Sequence, residues 1–281
     1  MSRNNEDRLG LKAKDTGSPA IAQQGTDFSF ATPTEFAALP SKGRYYPEDH
    51  PCHNKEEVEI RYMTAKDEDI LTSAALIKNG TAIDRFLQNV ILDKSIVLES
   101  LLVGDKNALM VAARITGYGE DYDVNITCPN CYTPQETRFR LDELDVYGGQ
   151  GYEDAGITAS DKGTFFMDMP ASKVKVEVKL MTGKDENYLH NLALTKKKKK
   201  LPESGLTDQF TRMIVSVNGN EKSSMIRSYV DNMPAKDSKF LRTNYFKVVP
   251  NVDMRQDFKC QSCGFDQELE VPFSANFFWP K

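Results

Sequence analysis

No apolar run in this chain approaches the roughly 20 residues of a membrane span, so no membrane partner is expected. Basic residues are not in excess either. Lys and Arg number 36 against 41 Asp and Glu, a net charge of −5, which leaves no surplus of positive charge for a phosphate backbone and argues against a nucleic-acid coat. The sequence carries no P-loop, no GxSxG elbow, no HExxH and no dinucleotide glycine pattern behind a strand, so neither an enzyme nor a small-molecule substrate is expected. Residues Met1 to Arg8 contain no apolar stretch of the kind that directs secretion. Cysteine occurs only five times in 281 residues, too sparsely for a disulfide-stapled scaffold.

Four of those five cysteines form two matching pairs, Cys128-Pro-Asn-Cys131 and Cys260-Gln-Ser-Cys263. Two thiolates three positions apart on a tight turn can face one ion, and two such turns complete the tetrahedral set of a structural zinc site. Alternating segments flank each pair, Asp121 to Thr127 and Thr137 to Leu141 around the first, Asp253 to Lys259 and Gln267 to Val271 around the second. The pattern is that of hairpins tipped by metal knuckles, as in a zinc ribbon. With all four positions filled by thiolate, such a zinc is structural rather than hydrolytic. Cys52 is left over as a plain buried or half-buried thiol.

The long interval between the pairs admits two explanations: one ribbon closing over a large insertion, or two copies of one module. Residues 58–71 and 176–189 are identical at eight of fourteen positions. Asp84-Arg-Phe then parallels Asp208-Gln-Phe, Ser95-Ile-Val-Leu parallels Ser224-Met-Ile-Arg, and Asp105-Lys-Asn parallels Lys236-Asp-Ser, before the knuckles fall into register. An ordered series of this kind favours duplication of a small domain. The expected fold is therefore α+β, two strand–helix–zinc-hairpin modules whose CxxC knuckles together form a zinc-ribbon-like site.

In chain order, residues 1–33 are polar and lack apolar periodicity, which predicts a flexible N-terminal arm. Residues 34–55, with their Pro, Gly, Tyr45 and Tyr46, read as an extended segment. It either lies along a neighbouring protein or packs on its own domain as an ordinary loop. Module 1 spans 56–145. There Thr64 caps a helix whose stripe is Ile70, Leu71, Ala74, Ala75 and Ile77, with Gly80 as its stop. A second helix begins near Ala82 and a third runs from Asp105 to Thr116. Residues 146–170, around Gly148-Gly-Gln-Gly151, read as a linker. Module 2 spans 171–281, with a strand to Leu180, Thr182 repeating the cap, and helices at 206–217, 223–232 and 234–248. Its five-lysine run, Lys196 to Lys200, reads as a solvated loop, with an anionic partner as the lesser reading. The chain closes on an aromatic plug, Phe277, Phe278 and Trp279, which is either tucked into the fold or inserted into a partner.

Smaller clusters have plainer explanations. His50, Cys52 and His53 lack a fourth ligand, and His190 stands alone. Asp67-Glu68-Asp69 and Asp185-Glu186 sit in first helical turns, where the cap and the helix dipole account for acidic residues.

At Leu39-Pro-Ser-Lys-Gly-Arg-Tyr-Tyr-Pro47, Glu59 to Leu71, Leu102-Val-Gly-Asp-Lys-Asn107 and Phe277-Phe-Trp-Pro280, the chain resembles the baseplate hub-associated proteins of T-even-type contractile-tailed bacteriophages. The likeness runs from about residue 34 to the C-terminus. It implies a structural component of the virion's central baseplate, present in the host cytoplasm during assembly and bound to other tail proteins. The alternatives are a hub-assembly factor that leaves before maturity and, from a different class, a zinc-ribbon adaptor for nucleic acid. Phe36, Leu39, Tyr45, Tyr46, Phe277, Phe278 and Trp279 are the expected partner contacts. The metal site rests on the cysteines and not on the resemblance.

Overall fold

Alternating side chains set the first hairpin. β1 (Thr34–Ala38) pairs antiparallel with β2 (Glu57–Arg61), and Ala37, Val58 and Ile60 turn into the core while their neighbours face out. The computed structural model describes residues 32–272 and 275–278, which pack as one unit. The expected N-terminal arm, residues 1–33, lies outside the described residues apart from its last two.

Thr64 ends β2's extension and caps α1 (Ala65–Thr72) through a complete capping box with Asp67. Ser73 then breaks the helix, and α2 (Ala74–Asn79) ends at Gly80 in the left-handed region. The single helix expected up to Gly80 is thus two, and only Leu71 of its five stripe residues is buried. The bend at Ser73 turns α2 outward, leaving Ile77 47% exposed. α3 (Ala82–Val90) buries Phe86, Leu87 and Val90, and the following Ile91 bridges to Ile60 of β2. The central helix, α4 (Val103–Tyr118), buries nine of its sixteen residues. It leads into the hairpin of β3 (Asp121–Thr127) and β4 (Pro134–Arg140), with the first cysteine pair at its tip.

Residues 146–170 are not a free linker. β5 (Val146–Tyr147) pairs with β10 (Asn251–Val252), β6 (Thr158–Ala159) pairs with β7 (Thr164–Asp168), and Ile157 and Phe165 are buried. Enough apolar side chains punctuate this glycine-rich stretch to hold it on the core. β8 (Lys175–Lys179) continues the sheet in the order β6-β7-β8. α5 (Gly183–Lys198) starts at the Thr182–Asp185 capping box, and α6 (Gly205–Met213) follows. The helix expected at 206–217 ends four residues early. The stretch Ile214-Val-Ser-Val217, three of its four residues β-branched, leaves the helix as β9 (Ile214–Val217) and pairs with β8. α7 (Ser223–Asp231) and α8 (Ala235–Val248) lead through β10 to the hairpin of β11 (Arg255–Lys259) and β12 (Asp266–Glu270).

Several contacts recur at corresponding places in the two halves. Arg61 pairs with Asp67 and Lys179 with Asp185, both carboxylates being fully buried cap residues. Leu39 N–H donates to Glu56 O as Met169 N–H donates to Val174 O. At the third position of α4, Asp105 accepts from Ser41 N–H, the Ser41 hydroxyl and Tyr46. At the third position of α8, Asp237 accepts from the N–H groups of Ala171 and Ser172. This sets Asp105 against Asp237, one position from the register expected from sequence. Asp105 and Asp237, Cys128 and Cys260, and Phe139 and Val271 all stand 132 positions apart.

One core serves both halves. The starts of α4 and α5 lie antiparallel, with Val103 N–H on Met181 O and Gly183 N–H on Leu101 O. Lys106 of α4 reaches Asp84 at 2.8 Å and Glu186 of α5 at 3.2 Å. At Gly104 a Cβ would lie 1.8 Å from Pro250 O, so only glycine lets α4 approach the segment before β10 this closely.

Candidate metal centre

Each cysteine pair is shaped by its own hairpin. Cys128 N–H donates to Thr133 O and Cys260 N–H to Phe265 O. Tyr132 N–H returns to Cys128 O, and Gly264 N–H to Cys260 O. Both turns need a left-handed residue after the second cysteine, Tyr132 at φ 60° and Gly264 at φ 70°. Glycine takes that conformation freely and tyrosine at a cost.

The two turns then meet. Cys128 Sγ lies 3.8 Å from Cys263 Sγ, Cys131 Sγ lies 3.6 Å from Cys260 Sγ, and all four sulphurs fall within 4.8 Å of one another. Exchanging the halves turns one cross-pair into the other, so a local twofold relation runs through the cluster. A zinc–sulphur distance of about 2.3 Å in a regular tetrahedron puts the sulphurs ~3.8 Å apart. A disulfide needs about 2.05 Å, and all four thiols are free. The donor set therefore fits a tetrahedral metal ion.

The surroundings favour thiolate at Cys131 and Cys263. The hydroxyl and N–H of Thr133 hold the Cys131 thiol at about 6. The Asn130 amide, 3.5 Å from Cys263 Sγ, and the Phe265 N–H pull Cys263 down. Cys260 receives the N–H of Cys263, yet burial and its sulphur neighbours push it up to about 11. Ile126, Phe258, Phe265 and Leu269 pack a small apolar cluster around the cysteines. Gln135 ties the hairpins together, accepting from Gln261 N–H at 3.0 Å and donating to Lys259 O at 3.1 Å. Gln256 does the same for Arg140, receiving its N–H at 3.1 Å and donating to its carbonyl. Neither glutamine stood out in the sequence, since a bridging amide leaves no spacing signal.

Most of the expected partner contacts belong to this chain's own interior. Leu39 and Tyr46 are 2% and 5% exposed, and Tyr45 is half-buried against Phe165. Residues 39–55 close over α4, where Ser41 and Tyr46 satisfy the buried Asp105 carboxylate. Phe277 and Phe278 are likewise buried, packed on Tyr122 and Phe86. The buried Arg114 fixes them by donating to Phe277 O at 2.9 Å. Trp279 lies outside the described residues. Phe36 remains, 59% exposed.

The histidine cluster is internally satisfied. His50 Nδ1 accepts Cys52 N–H, His50 Nε2 meets Ser100, and His53 Nδ1 meets Tyr46 O. Cys52 is buried in the core.

No curated protein and no solved structure matches the chain. A family model described as T4 bacteriophage base plate protein matches residues 34–279, a span that takes in both halves and both thiol pairs. Protein of the virion's tail baseplate, with other baseplate proteins as its partners, is what that match implies, and the chain belongs to the T4 bacteriophage base plate protein family.

Proposed function

We propose that this chain is a non-catalytic structural component of the central, hub region of the baseplate. It is built from two copies of one strand–helix–hairpin unit and closed by a structural zinc on Cys128, Cys131, Cys260 and Cys263. The observation that carries the reading is the meeting of two thiol pairs, 132 positions apart, at one point with tetrahedral spacing. Four thiolates saturate zinc and leave no position for a substrate or water, so the metal braces the fold. Tying the far ends of both halves gives a stiff body, which suits a part that neighbouring tail proteins must pack against. The matched caps and matched hairpins support duplication.

Two measurements test this. Elemental analysis of the purified chain is expected to give about one zinc per chain, and a metal-free chain that is fully folded would remove the zinc. Mass spectrometry of washed virions, set beside infected-cell lysate, is expected to find the chain at a fixed ratio to other baseplate proteins. Abundance in lysate with absence from particles would make it an assembly factor that works in the host cytoplasm and departs.

A further inference from the structure

We propose that the outer edge of β1 is a docking edge that takes an extended, lysine- or arginine-bearing segment of another baseplate protein as an added strand. The proposal rests on the baseplate reading above and adds the surface and the kind of partner.

The second half shows what this edge is built to hold. β7 has β8 on one side and β6 on the other, where Thr158 pairs with Phe166. Phe36 is the counterpart of Phe166, because Phe36 faces Glu59 in β2 as Phe166 faces Glu177 in β8, and the two glutamates are matched positions of the repeat. In an antiparallel ladder, successive residues point their N–H and C=O to alternate sides. Tyr62 N–H donates to Pro33 O and Leu39 N–H donates to Glu56 O. The odd-numbered positions of β1 therefore face β2, and Thr34, Phe36 and Ala38 turn their N–H and C=O outward. Phe166 uses those outward groups on β6. Among the described residues no backbone group meets those of β1.

Proteins usually blunt an open edge with lysine, proline or a covering segment. Here Thr34, Glu35, Phe36 and Ala38 are all exposed, with a phenylalanine at the centre. Added strands bind such edges through main-chain hydrogen bonds, while side chains set specificity.

Charge selects the occupant. Glu35, Glu56, Glu57 and Glu59 lie along this hairpin. The nearby cations are already engaged, Lys55 with Asp93 at 3.1 Å and Arg61 with Asp67 at 2.6 Å. A second copy would bring the same acidic hairpin, with its cations likewise engaged, so charge gives it no advantage at this edge. A strand with Lys or Arg beside an apolar residue complements both the carboxylates and Phe36.

The test is photo-crosslinking during phage assembly with the full chain carrying Thr34→p-benzoylphenylalanine, in infected-cell lysate and in purified baseplates. The expected product joins position 34 to an extended, basic segment of another baseplate protein, identified by peptide sequencing. Phe36→Pro removes one outward N–H and spares the ladder to β2, so crosslink yield should fall roughly tenfold, the value of about one hydrogen bond. Unchanged melting and metal content confirm its fold. The pair Glu57→Lys and Glu59→Lys reads the charge separately and should also lower the yield. A crosslink to a second copy, to this chain itself or to an acidic or helical segment overturns the proposal, as does no crosslink in either sample or a wild-type yield from Phe36→Pro. Immunoblotting the chain in the particles scores the structural-component reading independently. A chain missing from particles fails that reading, while the lysate crosslink still decides the edge.

Discussion

At the scale of single residues, the two cysteine turns differ in one informative position. Tyr132 is 77% exposed and held left-handed, where its partner turn has Gly264. Tyr132→Gly should keep the metal and raise stability by up to about 1 kcal/mol, relief of strain outweighing the added freedom of the unfolded chain. Denaturant midpoints would show it. Cys131→Ser should instead abolish tight zinc binding and cost several kcal/mol, because three thiolates leave the site open. Zinc content and melting temperature check this together. The buried caps make a pH prediction. Burial opposes ionisation of Asp67, but hydrogen bonds from Arg61, Thr64 and Asn89 prevail and hold it at about 2. Its unfolded value is near 3.9. The folded value is the lower, so the contribution is complete above about pH 4 and is lost as pH falls toward 2. Asp67→Asn should therefore cost about 2 kcal/mol at pH 7, with the gap to wild type narrowing in urea melts at pH 3.

At the scale of elements, the C-terminal segment behaves as part of the first half. Phe278 fills space against Phe86 with no exposed surface, and Arg114 donates to the carbonyl of Phe277. Phe278→Ala should cost about 3–5 kcal/mol, as for other buried aromatics cut to alanine. Calorimetry on the full chain measures it. A residue needed only by a partner would show no such loss. The lysine run is divided by its helix. Lys196 is tied to Asp208 at 2.5 and 2.8 Å and to Ser204, while Lys197 to Lys199 lie at the end of α5, where positive charge meets the helix dipole. The expected solvated loop is thus largely the last turn of a helix, and among the described residues the other four lysines make no ion pair and are exposed. The Thr–Asp boxes that open α1 and α5 were legible in sequence because a cap is a local device, complete within four residues. The switch from α6 to β9 was not, because the sheet edge that claims Ile214 to Val217 comes from β8, where Val176 pairs with Val217 and Val178 with Ile214.

At the scale of the whole molecule, the hairpins cooperate through the thiol cluster and two bridging glutamines, while the body is held by one shared core. Chelation should therefore loosen the hairpins first. Hydrogen exchange is expected to rise in β3, β4, β11 and β12 on metal removal, and to stay protected longest in α4, nine of whose sixteen residues are buried. Uniform exchange across the chain would show that the metal holds the core as well.

The sequence by itself determined the two cysteine pairs, the caps, the internal similarity and the resemblance to baseplate proteins. Each is carried by residue identity at short spacing, or by matching one half of the chain against the other. Tertiary structure decided what faces inward. Leu39, Tyr46, Phe277 and Phe278 look adhesive as a string of letters, yet the chain spends them on itself, because Asp105 and Arg114, buried far away in sequence, need the hydroxyls and carbonyls those segments bring. It also decided that both thiol pairs share one point, since the hairpins reach each other only after α4 and α8 set their directions from a common core. An exposed phenylalanine on a strand edge that no described segment covers follows from the same physics: side-chain type is local, and the choice between core and surface belongs to the whole fold.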